Sequence, residues 1–471
     1  MGISDTEKNM LDSDNDYISS FENNLKFNNG MYETKLFWED KPSDLENNWA
    51  IAKRRFGNLS IKMQDNNWLY NEYKNIVKDQ IKENIVEECS SHFETNSYYM
   101  PHSAVVRKDK ETTKVRMVFD ASSKGRDCKS LNECLYAGPP LNPRIIDVIL
   151  RFREYEHAFC SDIQGAFLTI GIAEEDRDYL RFFWFPNDGD AKSYKIMRMN
   201  RVPFGVTLSP FILAATIKFH IRKYKEDYRE TYELLNTSLY VDDLFAGSSE
   251  SVYKAFDLSK DAIEILKDAN MNLRKFKTNS KELRKLWNEN GIGDVCESGE
   301  RSLKVLGIIW NLNNDTFKLD AQPLLELIKN LKNSKRCVLK TAAKVFDPIG
   351  FISPFVLIIK CLMQEIWEYG LGWDEQLPTE LKNKWETWCS QVCLLNDLTL
   401  ERKYFPYPLD KGKDLQLHIF CDASPRAFGA VAYFRYVTAN DDIYTSFITA
   451  KSRVSPLKKL TLHDWNFWEQ F

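Results

Sequence analysis

Two neighbouring aspartates, Asp242 and Asp243, interrupt the apolar stretch Ser238-Leu-Tyr-Val-Asp-Asp-Leu-Phe-Ala-Gly247. A carboxylate packs poorly on a half-buried pleated surface, and two side by side repel each other. This stretch by itself leaves two readings open: a hairpin turn with Gly247 close behind, or a metal site. A third acid, Asp162, closes the apolar run Ala158-Phe-Cys-Ser and precedes Gly165-Ala-Phe167. If the strands ending at Asp162 and Asp242 are neighbours in one sheet, their carboxylates meet at one edge. Such a cluster is costly unless divalent cations neutralise it. Oxygen-only ligands favour Mg²⁺, which keeps phosphate oxygens among its partners, and two such ions would support in-line phosphoryl transfer.

The elements that must position these acids follow from the pattern along the chain. Residues 1–29 are rich in Asn, Asp and Ser, which predicts a mobile segment 1–30. Three- and four-residue apolar steps between Trp49 and Glu94 predict a helical extension over 31–93. Tyr99-Met-Pro-His-Ser-Ala-Val-Val and Val115-Arg-Met-Val-Phe-Asp read as a β-hairpin with basic residues at its tip and Arg116 on one face. Helices are expected near Pro143–Glu156, Pro210–His220 and Ser249–Lys267, and strands at Ala158–Asp162, Tyr179–Phe185, Met271–Lys277 and Leu303–Trp310. This order is a mixed α+β layer rather than a regular βαβ repeat. Residues 311–388 read as helical and Trp-rich, and Leu415, Leu417, Ile419 and Cys421 open a fresh alternating strand, the start of a separate module.

Composition excludes some classes. The 471 residues suggest about three domains. With 64 basic and 68 acidic residues the net charge is only -4, so bulk charge does not coat nucleic acid, although a local basic groove remains compatible. Ten Cys lie without a C-x-x-C pair, which points to reduced, mostly buried thiols rather than zinc. The polar N terminus shows no signal peptide, and Gly2, Asp5 and Thr6 fit a myristoylation pattern only loosely. The longest apolar run, Phe351–Ile359, is too short to span a bilayer.

Ser161-Asp-Ile-Gln-Gly-Ala-Phe167, Val202-Pro-Phe-Gly205 with Ser209-Pro210, and Tyr240-Val-Asp-Asp243 resemble, in order and spacing, the palm motifs of a reverse transcriptase. The phrases "YYMPHSAVVRKD", "KVRMVFDASSKG", "SLNECLYAGPPL", "FDPIGFISPF" and "CDASPRAFGAVAYF" are similar to the polyprotein of BEL/Pao-type LTR retrotransposons from about Gly30 onward. The resemblance implies a right-hand polymerase: fingers and palm over 94–310, a helical thumb and connection over 311–410, and a partial ribonuclease H-like α/β module over 411–471. It implies that Asp162, Asp242 and Asp243 are the catalytic acids and hold two Mg²⁺, with Mn²⁺ an alternative. Phe167 would crowd a ribose 2′-hydroxyl, and Arg116 with Lys108 or Lys110 would grip the incoming triphosphate. Phe204 and Gly205 would shape the pocket floor, Lys275 or Lys277 would act near the pyrophosphate, and Leu306-Gly307 would belong to a primer-gripping hairpin. The implied partners are an RNA template, a DNA or tRNA primer and deoxynucleoside triphosphates, without a membrane. The implied location is cytoplasmic, including particles of a parent element. His102 is a family marker without an evident chemical role, and a satisfied structural histidine is the expectation.

The sequence also departs from that family. No D-[ST]-G tripeptide of an aspartic protease occurs, and no integrase or zinc-knuckle pattern is seen. Phe420-Cys-Asp422-Ala-Ser resembles the first strand of a ribonuclease H, with Asp422 at its first metal ligand, but the expected P-R-L-E continuation is replaced by Leu462-His-Asp-Trp-Asn-Phe-Trp-Glu-Gln-Phe471. If the Leu462 codon ends in C, rereading the following codons from that base restores the Leu and Glu of that phrase. The expectation is a one-base frameshift, or a gene model that missed one, leaving a truncated and inactive ribonuclease H module. Two other readings stay open: a nucleic-acid-binding remnant without turnover, and a domesticated assembly protein without catalysis.

Overall fold

The computed structural model describes residues 5–89, 96–106, 115–186, 194–292, 302–329, 332–405 and 412–456, with 5–13 by backbone only. Two compact units emerge: Met1–Asn142, Ser161–Leu244 and Asp257–Lys275 form the first, and Pro143–Cys160, Phe245–Phe256 and Phe276–Phe471 the second.

The N terminus differs from the expected mobile segment. Asp5–Asn24 is a helix, α1. Tyr17 and Phe21 stand four residues apart and so share one face of it. Tyr17 stacks on Tyr136 at 3.8 Å, and the fully buried Phe21 ring lies 5.6 Å from Phe37 and 5.3 Å from Phe211. Two aromatic anchors outweigh a polar composition. The helical extension forms as α2 (Trp49–Gln64) and α3 (Asn67–Lys82), after a short hairpin, Lys26–Asn28 with Met31–Thr34, that the sequence reading left out.

Strands β1 (His102–Val106) and β2 (Val115–Phe119) form the expected antiparallel hairpin, with His102 opposite Phe119 and Val106 opposite Val115. Val115, Met117 and Phe119 face inward while Arg116 is exposed, the period of two that a half-buried strand imposes. His102 is a satisfied structural residue. Its Nε2–H donates to the Phe183 carbonyl at 2.7 Å, which leaves Nδ1 to accept from the Tyr73 hydroxyl at 2.6 Å. Burial holds this imidazole neutral, its pKa pushed down to about 4.

Helix α4 (Ile145–Phe152) leads into the central strand β3 (His157–Ile163), whose residues Ala158 to Ser161 are buried. Helix α5 (Ser209–Ile221) is apolar almost all round and buried accordingly. Strands β4 (Leu239–Tyr240) and β5 (Asp243–Ser248), helix α6 (Val252–Lys267) and strand β6 (Leu273–Thr278) complete a sheet of order β4-β5-β3-β6. The strands carrying Asp162 and the Asp pair are therefore sheet neighbours. Gly247 is not a turn residue. It sits inside β5, where a Cβ would come within 2.6 Å of the His157 carbonyl oxygen.

In the second unit, the single strand read at Leu303–Trp310 is two: β7 (Ser302–Val305) and β8 (Ile308–Asn311), joined at Leu306-Gly307. Strand β9 (Thr316–Leu319) and Leu400–Glu401 extend that sheet, so the segment after Asn311 is not helical from its start. Helices α7 (Lys335–Ala342), α8 (Ser353–Glu368) and α9 (Thr379–Gln391) pack around Trp385 and Trp388, whose rings stack at 5.7 Å. The final module is an antiparallel meander of β10 (Gly412–Ala423), β11 (Ala427–Thr438) and β12 (Ile443–Val454). Two buried arginines tie this unit together. Arg402 pairs with both oxygens of Asp315 at 2.6 and 2.8 Å, while Arg153 donates to the carbonyls of Arg402, Glu401 and Phe447. Among the described residues no helix is long and apolar enough to cross a membrane.

Two stability predictions follow from these buried groups. The His102 pKa lies below its unfolded value of 6.5, so its contribution is complete above pH 6.5 and is lost as pH falls toward 4. That shift corresponds to roughly 3 kcal/mol. Urea midpoints at pH 7 and pH 4.5 should therefore separate more for the wild type than for His102→Phe; equal separation would remove this role. Asp315→Ala leaves the Arg402 guanidinium buried without its carboxylate and should cost about 3–5 kcal/mol, read as a fall in the urea midpoint of the second unit; an unchanged midpoint would show that the carbonyls alone suffice.

Candidate active site

The Asp pair rides on a two-residue turn. Leu239 pairs with Leu244 and Tyr240 with Asp243, which leaves Val241 and Asp242 to reverse the chain. Val241 has φ +58°. A β-branched side chain in this left-handed region is strained, at a cost of about 1–3 kcal/mol. Hydrogen bonds hold the turn from two sides: the Ile163 N–H donates to the Asp242 carbonyl at 2.8 Å, and the Val241 N–H donates to Asn142 Oδ1 at 3.3 Å. The hairpin turn and the metal-site reading are thus compatible, because the turn carries the acid to the edge of β3 where Asp162 stands.

Asp162 is met by two cations. Lys275 Nζ lies 3.3 Å and Arg274 Nε 3.6 Å from its carboxylate. Adjacent strand residues normally point to opposite faces. Lys275, with φ +55°, breaks that alternation, and Leu273, Phe276 and Thr278 take the inward positions. The irregularity brings Arg274 and Lys275 to the same acid. Arg274 Nε is buried and makes no hydrogen bond.

Burial pushes the Asp242 carboxyl above the usual range, and the charge of Asp162 adds to this; Arg116 and Lys275 pull the other way. Asp162, Asp242, Arg116 and Lys275 therefore form one electrostatic group. A half-buried, partly destabilised carboxylate beside a second one fits a hard divalent cation with oxygen ligands. Among the described residues no three acidic, His or Cys side chains already stand at ligating spacing; Asp162 is instead turned toward its two cations.

The wall of the site is aromatic. Phe167, on the turn after β3, meets Phe204 edge-to-face at 4.8 Å. Phe167 is buried, whereas Phe204 is 39% exposed. Gly205, at φ +103°, passes so close to β2 that a Cβ would fall 2.2 Å from the Phe119 carbonyl oxygen. Asn132 clamps this loop, donating to the Gly205 carbonyl at 3.1 Å and accepting from the Thr207 N–H at 2.8 Å.

Of the remaining candidates, Lys108 and Lys110 lie outside the described residues. Lys277, Leu306, Gly307 and Asp422 belong to the second unit. Leu306 and Gly307 both have positive φ in the β7–β8 turn, where Gly307 closes on the Phe346 ring. Asp422 lines a cavity of about 610 Å³ with Phe351, Pro354, Tyr433 and Phe447. Arg274, Asn132 and Asn142 are the contributors that sequence reasoning missed. Both asparagines lie in or directly after "SLNECLYAGPPL", a phrase whose local pattern carries no signal for either contact.

Comparison with known proteins agrees with this architecture. A family profile described as reverse transcriptase (RNA-dependent DNA polymerase) matches residues 66–310, more than half of the chain. A second, the Pao retrotransposon-like RNaseH-like domain, matches 334–464. The chain is 28% identical over 185 residues, 39% of its length, to the Gag-Pol polyprotein of bovine immunodeficiency virus (strain R29). It is 27% identical over 181 residues, 38% of its length, to the Pol polyprotein of equine infectious anemia virus (isolate 1369). It spans only 11% and 14% of those relatives. A solved foamy viral protease-reverse transcriptase, in complex with double-stranded DNA, shares the fold with a TM-score of 0.50 at 16% identity, over 82% of this chain and 55% of that one. A right-hand α+β polymerase fold, followed by the RNaseH-like domain of Pao retrotransposons, places this chain in the reverse transcriptase family.

Proposed function

We propose that the chain is an RNA-directed DNA polymerase that extends a DNA or tRNA primer on an RNA template with deoxynucleoside triphosphates. The observation that carries this reading is the half-buried Asp242 carboxyl, pushed up by burial and by the charge of Asp162, with Arg116 and Lys275 in the same electrostatic group. Asp162, Asp242 and Asp243 are the residues that hold the metal. When bound, two Mg²⁺ ions, or Mn²⁺ in their place, lower the pKa of the attacking hydroxyl and neutralise charge on the phosphates.

This chain's own side chains do the rest. Arg116, with Lys108 or Lys110, binds the triphosphate through charge-assisted hydrogen bonds. Phe167 backs against Phe204, so a ribose 2′-hydroxyl has little room, and Phe204 with Gly205 floors the nucleotide pocket. Lys275 rather than Lys277 delivers a proton toward the departing pyrophosphate, since its ammonium already lies beside Asp162. Leu306-Gly307 takes the primer strand. Asp422 stands where the first metal ligand of a ribonuclease H is expected and lines a cavity of the final module; polymerisation is the activity proposed for this chain.

Primer extension on an RNA template, with wild type beside Asp242→Asn, tests the reading. Asp242→Asn should lose at least about 10³-fold in rate while template binding persists and weakens with salt, because phosphate contacts dominate affinity. A wild type that binds template but extends nothing in Mg²⁺ or Mn²⁺ contradicts it. Phe167→Ala should raise ribonucleotide incorporation relative to deoxynucleotide by about tenfold or more, read by competition; an unchanged ratio moves the sugar discrimination elsewhere.

A further inference from the structure

We propose that Asn142 is a positioning residue of the polymerase site: its side-chain carbonyl holds the strained Val241–Asp242 turn in the conformation that presents Asp242. The inference rests on the polymerase reading. Val241 occupies a backbone region that a β-branched residue leaves readily, so the turn needs restraint from outside the hairpin. The hairpin itself supplies only the Leu239–Leu244 and Tyr240–Asp243 pairs. Two hydrogen bonds from outside the hairpin bracket the Val241–Asp242 pair. Ile163 fixes the Asp242 carbonyl, and Asn142 fixes the N–H of the residue before it. Without the second bond, Val241 is free to relax toward extended φ, and that rotation swings the Asp242 carboxylate.

Asn142 is well suited to act as a fixed post. It stands in Gly138-Pro-Pro-Leu-Asn-Pro143, where three prolines limit the backbone and the residue before a proline is confined to extended conformations. Gly138, at φ +76°, packs directly on the Phe211 ring, where a Cβ would stand 2.2 Å from the ring. A side chain on so stiff a segment forms its hydrogen bond with little loss of entropy. The same chain segment carries Asn132, which clamps the loop of Phe204 and Gly205. One stretch, residues 130–142, therefore holds both the nucleotide-pocket loop and the acid-bearing turn.

The test uses the full chain with Asn142→Leu, which keeps the branched shape and the number of side-chain heavy atoms and removes the acceptor, and Asn142→Asp, which restores it. A misplacement of about 1 Å costs on the order of 10²-fold. Asn142→Leu should lower kcat about 10- to 100-fold, with the deoxynucleotide KM and the template–primer Kd within about twofold of wild type, and Asn142→Asp should recover most of the loss. Mn²⁺ binding, followed by electron paramagnetic resonance of free Mn²⁺, should weaken at least about fivefold in Asn142→Leu. Wild-type kcat and wild-type Mn²⁺ affinity in Asn142→Leu overturn the proposal. If the wild type extends no primer, the polymerase reading fails and the Mn²⁺ comparison decides for or against Asn142; a wild type that binds no Mn²⁺ overturns both. Should Asn142→Leu lose template binding and circular dichroism, Asn142→Ser, whose hydroxyl is too short to reach the turn, replaces it with the same expected losses.

Discussion

Burial of the Asp242 carboxylate beside Asp162 is the constraint around which the site is arranged. Taking the Asp242 carboxylate partly out of water at the edge of an apolar sheet raises its energy, and the charge of Asp162 adds to the cost. The surroundings offset it in three ways. Arg116 arrives from the β1–β2 hairpin, and Lys275 and Arg274 arrive from β6 through a local break in strand alternation. Hydrogen bonds from Ile163 and to Asn142 then keep the strained turn from carrying Asp242 away. A sheet that only needed to pack would place no acids there.

Much of this was legible in the sequence because it is local. The interrupted apolar run at Ser238–Gly247, the strand ending at Asp162 and the alternation around Arg116 each express a short-range period; the structure places the first two on neighbouring strands and Arg116 on a separate two-stranded hairpin. The edge-to-face contact of Phe167 with Phe204 joins two of the quoted motifs. What the sequence hid was tertiary. Nothing in the order Leu-Arg-Lys-Phe-Lys says that Lys275 takes a positive φ, yet that one dihedral turns Lys275 with Arg274 toward Asp162. Asn132 and Asn142 act across 73 and 99 residues of chain, so their partners have no local signature.

The N-terminal helix and the second unit make the same point about packing. A polar composition suggested a mobile start, but Tyr17 and Phe21, on one helical face, find Tyr136, Phe37 and Phe211. Composition averages over residues, whereas burial of one aromatic side chain stabilises by a few kcal/mol and can decide a segment by itself. In the second unit the Leu306-Gly307 turn divides what looked like one strand, because a strand-forming run conceals a reversal when only one of its two turn residues is a glycine.

The central claim is that Asp242 is held as a destabilised carboxylate that a divalent cation relieves. Its titration can be followed directly through the side-chain ¹³C resonance, with Asp242→Asn to assign the signal, in the absence and presence of Mg²⁺. The account predicts a midpoint above the usual aspartate range without the ion and a shift well below it when Mg²⁺ is added. An ordinary midpoint that Mg²⁺ leaves in place would contradict it.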